Sequence, residues 1–259
     1  LEFFVEGFEE EDEGLISEGF ELSAQLRWPL APKTEFRSYA RFRRADVRDE
    51  RLDVEDVQES TPLVGLQVVH DGRDDPLDPR RGYFASADLS GSEDVVSDGE
   101  SYLRLFAQVD AFLPIGERLT WAQGLRVGRA EVWSGELPRD VRFFAGGARS
   151  LRGYRSRSIG PVEVLDDGTE RAEGGEALVV LHEELRYEFS EAVQAVVFYD
   201  LGNVWADAED FGDELFGSVG LGVRYRSPVG LLRLDVAHAL EDRPENDEVE
   251  IYFGLGQAF

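Results

Sequence analysis

The sequence contains no cysteine. Disulfide staples and thiolate metal sites are therefore excluded, although this does not fix the compartment. Lys33 is the only lysine, so arginine supplies the rest of the positive charge. There are three histidines, His70, His182 and His238, with no His-x-His or His-x-x-x-His spacing. That gives no support to a histidine metal site. No Gly-x-Ser-x-Gly elbow is present, and a Ser/His/acid hydrolase needs a nucleophile beside a base. The expectation is a chain without enzymatic activity, cofactor or metal. No apolar run of about 18 residues occurs, so no transmembrane helix is expected. No signal peptide is visible and the first residue is Leu1, which suggests a processed product or a fragment. Positive charge is scarce overall: 54 acidic side chains against 27 basic ones leave a formal net charge of −27. Such a surface repels nucleic acid, which is not an expected partner.

What is present is alternation. A hydrophobic share of 42% beside 31% charged residues suits a soluble globular protein, and it equally suits a membrane β-barrel. About twelve strand-like segments can be read. At 102–113, Leu103, Leu105, Ala107, Val109, Ala111 and Leu113 share one face, and Tyr102, Arg104, Gln108 and Asp110 the other. At 179–189, Val179, Leu181, Leu185, Tyr187 and Phe189 oppose His182, Glu184, Arg186 and Glu188, with Glu183 a polar exception on the apolar face. The last segment places Ile251, Phe253, Leu255 and Phe259 opposite Tyr252, Gly254, Gly256 and Ala258. A soluble sandwich can show one such strand. The barrel is favoured because the second face carries both signs of charge with glycine, and because these strands exceed the usual five or six residues.

The connections alternate in kind. Short ones, mostly rich in Pro or Gly, at 29–33, 114–117, 190–191 and 227–230, interleave with longer acidic ones at 9–14, 49–60, 90–100, 207–214 and 241–250. Up-and-down outer-membrane barrels have short periplasmic turns and long outer loops. The acidic loops are thus expected outside the cell, facing lipopolysaccharide, and the C-terminus in the periplasm. The connection at 71–83 is longer than its neighbours on the short-turn side. Its Asp-Pro and Asp-Gly pairs set turns, and Asp74 and Asp78 are candidates to pair with Arg73, Arg80 or Arg81. A calcium loop fits poorly, since prolines interrupt the acids and the spacing is not that of an EF-hand.

The stretch Phe143–Tyr154 stands apart, with Gly146-Gly147 followed by Arg152-Gly153-Tyr154. Glycine permits backbone conformations closed to other residues. An Arg held among glycines can bring its planar fork to a carboxylate. By strand parity, Glu184 and Asp200 lie on the polar faces of the strands that follow. Taken alone, the stretch reads equally as a Gly-rich surface loop.

Taken together, these stretches resemble the BamA/TamA superfamily of outer-membrane barrel insertases, and most closely its TamA-like branch. Arg152-Gly153-Tyr154 looks like the family's loop motif. Asp71, Arg73, Asp74, Pro76, Asp78, Pro79 and Gly82 look like its Asp-x-Arg-Asp-x-Pro-Leu-Asp-Pro-x-x-Gly turn. Tyr252, Gly254 and the terminal Phe259 look like its terminal strand signal, although Gln257 departs from it. The resemblance implies an all-β fold, a single antiparallel up-and-down transmembrane barrel over 1–259. The long loop at 134–175 would fold into the lumen, its Arg meeting Glu184 and Asp200. The family barrel has sixteen strands. Five follow the loop here as there, and about seven precede it rather than eleven. The periplasmic POTRA repeats are absent. The chain is thus expected to be the C-terminal part of such a barrel, or a short barrel.

The function so implied is an outer-membrane protein assembly or translocation factor, working through a lumen loop and a lateral seam. Its implied partners are outer-membrane lipids, lipopolysaccharide, and unfolded barrel clients or periplasmic proteins. The alternative is a passive pore or structural barrel subunit of a larger complex.

Overall fold

A computed structural model describes residues 1–12, 15–49, 57–93, 99–164, 170–241 and 249–259. Seven strands come first: β1 (Glu2–Asp12), β2 (Leu15–Ala31), β3 (Thr34–Asp49), β4 (Val57–Asp71), β5 (Gly82–Ser92), β6 (Ser101–Ile115) and β7 (Leu119–Ser134). A short ribbon follows, β8 (Val162–Val164) with β9 (Glu170–Ala172). Five more strands close the chain: β10 (Ala177–Glu188), β11 (Val193–Trp205), β12 (Phe216–Ser227), β13 (Gly230–Ala239) and β14 (Val249–Leu255). Apart from the ribbon, the strands form one 12-stranded sheet in chain order, with β10 beside β7. The pairings β1–β2, β2–β3, β7–β10 and those of β10 through β14 in succession are antiparallel, as tight connections between successive strands require.

Among the described residues the expected strand number therefore holds, with seven strands before the long loop and five sheet strands after it. The expected boundaries change. Much of what reads as acidic loop is strand: residues 9–12 belong to β1, 57–60 to β4 and 90–92 to β5. The intervening parts of those loops, and most of the one at 241–250, lie outside the described residues. Propensity alone would not carry strands through such acidic sequence. Continued ladder bonding does. The short side is tighter than expected. Pro32-Lys33 alone turns β2 into β3, with Lys33 at φ 66°, where the proline pre-sets the preceding φ.

The chain divides into two compact units. The first comprises residues 1–69, 87–106 and 130–142. Its outer face is apolar and exposed, with Phe20, Leu22, Leu26, Trp28, Val64 and Leu103 in rows. Its other face is polar: the Tyr39 hydroxyl donates to Asp88, Arg41 pairs with Asp140 at 2.9 Å, and Arg104 Nε donates to the Val141 carbonyl at 2.8 Å. The second unit comprises residues 70–86, 107–129 and 143–259. Its outer face carries Leu185, Val197, Leu221 and Phe253, the last 73% exposed. Its inner face buries Arg152, Arg186, Arg224, Glu184, Asp200 and Asp235. Apolar outside and ionic inside is the reverse of a soluble domain, and it suits a wall between lipid and a polar interior.

Candidate functional site

The site is built on the inner face of the second unit by the loop after β7. Phe143 bridges to Gly175 and Ala145 to Ile159, so both limbs of the loop are tied by short antiparallel pairings. Gly146 and Gly147 lie at φ 108° and 89°. A Cβ on Gly146 would stand 2.3 Å from the Arg155 carbonyl oxygen, so the chain can close here only with glycine. The Gly147 N–H then donates to the Leu151 and Tyr154 carbonyls at 3.2 and 3.0 Å. This closure points Arg152 at the strands.

Arg152 is 0% exposed. Its Nε and Nη2 grip Asp200 in a fork at 2.7 and 2.8 Å, and its own backbone N–H reaches the same carboxylate at 3.2 Å. Nη1 donates to Glu184 at 2.6 Å and lies 3.5 Å from Asp235. The guanidinium plane rests 3.5 Å from the centroid of the Phe198 ring. Burial alone would push the Arg152 pKa down, but Asp200 and Glu184 hold it above the ordinary arginine value. The expected pair of acids is thus found, and a third, Asp235, joins it.

The acids have further partners. Glu184 accepts from Arg186 Nε at 2.8 Å, and Arg224 lies 3.7 Å from it. Asp200 meets His182 Nδ1 at 2.9 Å. Asp235 accepts from Arg224 and lies 3.6 Å from Arg233. Arg224, Arg233 and Asp235 are therefore parts of one buried network with Arg152 and Glu184. A signal for this lay in the register of small residues. Gly220 faces Phe198, and Gly222 faces Asp235. A Cβ on Gly220 would stand 2.1 Å from the Phe198 ring, and one on Gly222 would stand 2.1 Å from the Asp235 carboxylate. The glycines on this face make room for the ring beneath Arg152 and for its third acid.

The loop is also held by the last strand. The Gly153 N–H donates to the Tyr252 hydroxyl at 3.0 Å, and that hydroxyl donates to the Tyr154 carbonyl at 2.8 Å. Tyr252 stands opposite Asp235 in the β13–β14 register. Gly153 sits at φ 90°, and a Cβ there would meet Ser218 and Ala239 at 3.0 and 3.1 Å. The Tyr154 side chain is buried, its hydroxyl 2.8 Å from both the Gly217 carbonyl and the Glu241 carboxylate. Gly254 lies beside Arg233 on the inner face.

Phe259 faces inward, not to the apolar face. Strand parity groups it with Ile251, Phe253 and Leu255 on the apolar face. β14 ends at Leu255, Gly256 turns at φ 83°, and Phe259 stacks on the buried His182 ring at 5.0 Å, 6.3 Å from Phe112. The glycine breaks the period of two, so parity does not carry past it. The Gln257 amide that departs from the signal donates to Asp78 at 2.8 Å, and its carbonyl accepts from Arg224.

The turn at 71–83 also pairs differently from expectation. Arg73 forks onto Asp71 at 2.9 and 2.8 Å and reaches the Pro76 carbonyl at 3.2 Å. Asp74 accepts backbone N–H bonds from Asp75, Arg80 and Arg81 at 3.0, 3.0 and 3.1 Å. Burial pushes the Asp74 pKa up, but these bonds outweigh it and hold the carboxyl below its ordinary value. Asp78 pairs with Arg226 at 2.6 Å, not with a neighbour in its own turn. Pro79 is buried, and Gly82, at φ 98°, lets the chain pass the Gly72 carbonyl.

A family model described as the Omp85 superfamily domain matches residues 9–259. The chain belongs to the Omp85 superfamily. It is 33% identical over 135 residues to "Outer membrane protein assembly factor BamA" of Nitratidesulfovibrio vulgaris, and 26% identical over 221 residues to the protein of that name in Neisseria meningitidis serogroup B. These matches cover 50% and 72% of the chain but only 17% and 27% of the two relatives. Among solved structures, BamA from Haemophilus ducreyi lacking POTRA domains 1–3 superposes with a TM-score of 0.82 at 19% identity, over 97% of this chain and 57% of that one. CdiB from Acinetobacter baumannii gives 0.57 at 13% identity, over 94% and 43%. The Omp85 chain thus has the antiparallel strand order of bacterial outer-membrane barrels, as an open 12-stranded sheet in which β1 and β14 are not paired among the described residues. The comparisons bear on the superfamily, and the TamA-like branch rests on the motifs alone.

Proposed function

We propose that this Omp85 chain is the barrel part of an outer-membrane protein assembly factor, which inserts unfolded barrel clients without covalent chemistry. The observation that carries this reading is the double tie on the loop. Arg152 fastens it to β10, β11 and β13, and Tyr252 fastens the same turn to β14. β14 pairs with β13, and its other edge has no partner among the described residues. A strand edge templates a new strand by backbone pairing. In this reading β14 is the seam that client strands join, and the docked loop sets its position from within the lumen. The acidic connections face outward toward lipopolysaccharide, the C-terminus faces the periplasm, and periplasmic proteins deliver clients.

The test is client insertion by the full-length protein in vesicles, followed by the gel shift of a folded barrel. Arg152→Ala should slow insertion at least tenfold. An unchanged rate overturns the loop's role. Large stable conductance with no insertion activity selects the passive-pore alternative instead.

A further inference from the structure

Glu183 lies on the outer face of β10, between Leu181 and Leu185. Its neighbours on that face are exposed apolar residues, Leu185 at 46% and Val197 at 56%. It stands midway between the ends of β10, and so roughly 15 Å from the short turn at about 3.3 Å per residue and a tilt near 40°. That is inside an apolar band about 25 Å tall. An ionisable side chain at such depth is expensive and needs a partner.

The partners present are neutral. Trp121 Nε1 donates to one carboxylate oxygen at 2.6 Å, and Gln123 Nε2 to the other at 2.8 Å. Among the described residues Glu183 makes no ion pair, and its side-chain partners are these two donors. Each carboxylate oxygen has about two acceptor positions, so each keeps one free of these two bonds. A cavity of about 590 Å³ opens over the group, lined by Trp121, Leu185, Val197, Tyr199 and Leu221. The outer face thus has a shaped recess, apolar at its walls, with a carboxyl group oriented in it by Trp121 and Gln123.

We propose that this recess docks a membrane-spanning segment of another protein that presents a Lys or Arg side chain within its span. Charge complementarity selects a cation. Depth selects a protein segment over an amine lipid, whose headgroup stays at the interface. Both edges of β10 are already bonded, to β7 and to β11. The occupant therefore cannot add as a strand here and must engage through a side chain. This separates the recess from any seam at β14 and takes the inference beyond the proposed function.

The test uses the protein in phosphatidylcholine vesicles and two synthetic Leu/Ala-rich membrane-spanning peptides, one with a single central Lys and one with Leu there. Each carries a dansyl group near its centre, and binding is read by energy transfer from the protein's tryptophans. The Lys peptide should bind at least tenfold more tightly, and Glu183→Gln should abolish the difference. Equal binding of both peptides to the unsubstituted protein overturns the proposal, whether or not the variant folds. A Lys preference that survives in folded Glu183→Gln protein overturns it too. The same preference shown by vesicles containing phosphatidylethanolamine, with the Lys peptide displaced by that lipid, would assign the recess to lipid instead and likewise overturn it.

Discussion

Arg152 is completely buried, and its charge is matched by a forked bond to Asp200 and a second bond to Glu184. Removing one member of a buried pair leaves the other charge stranded, at a cost of about 3–5 kcal/mol. Asp200→Asn keeps the shape and removes the charge, so it should lower the unfolding free energy by about that amount in urea titration. Asp235→Asn should cost less, because that acid stands 3.5 Å from Arg152 and has Arg224 as its nearer partner. Tyr252→Phe deletes two hydrogen bonds to the loop backbone and should cost about 1–3 kcal/mol, on typical values of 0.5–1.5 per bond. Asp74 gives a pH signature. Its carboxyl is held below the ordinary value of 3.8. Its contribution is therefore fully present above about pH 4 and is lost as pH falls through the lowered folded-state value. Asp74→Asn should remove that acid-side slope from the stability profile and leave the neutral range nearly flat.

At the scale of single elements, β12 and β14 show what strand parity can and cannot carry. Alternation predicts which side chains of β10, β12 and β13 face inward, and their burial agrees: His182, Glu184 and Arg186 on β10, Arg224 on β12, Arg233 and Asp235 on β13. The match of Arg152 to Glu184 and Asp200 was legible in that parity together with the family motif. The third acid was not, because Asp235 reaches the guanidinium only through the space left by Gly222, a cross-strand relation that needs the register. Phe259 was misplaced for a related reason, since Gly256 ends the alternation that would have kept it on the lipid face. These relations set a clear contrast. Gly220→Val drives a side chain into the Phe198 ring and should cost about 1–3 kcal/mol or more. Phe259→Ala should lower the thermal midpoint, because the ring stacks on His182 and lies over Arg186. Phe253→Ala, on the exposed face, should leave the inner network intact and move the midpoint less.

For the whole molecule, the strand number, the break after the seventh strand and the inverted distribution of polarity were all legible from hydropathy and turn chemistry. Where the strands end was not. Strands such as β1 and β4 run into acidic sequence that reads as loop, because ladder bonds to a neighbouring strand override local preference. The pairing of Asp78 with Arg226 was also beyond reach, since it joins residues 148 positions apart. The central claim is that the Arg152 network holds the loop in place. With no cysteine in the chain, a single Ser150→Cys label has no background. The decisive measurement is its rate of reaction with a water-soluble maleimide, in protein with and without Asp200→Asn. Slow labelling that accelerates at least tenfold in the Asp200→Asn variant is the predicted result. Equal rates in two folded proteins would contradict it, because the loop would then be held by something other than its buried ion pairs.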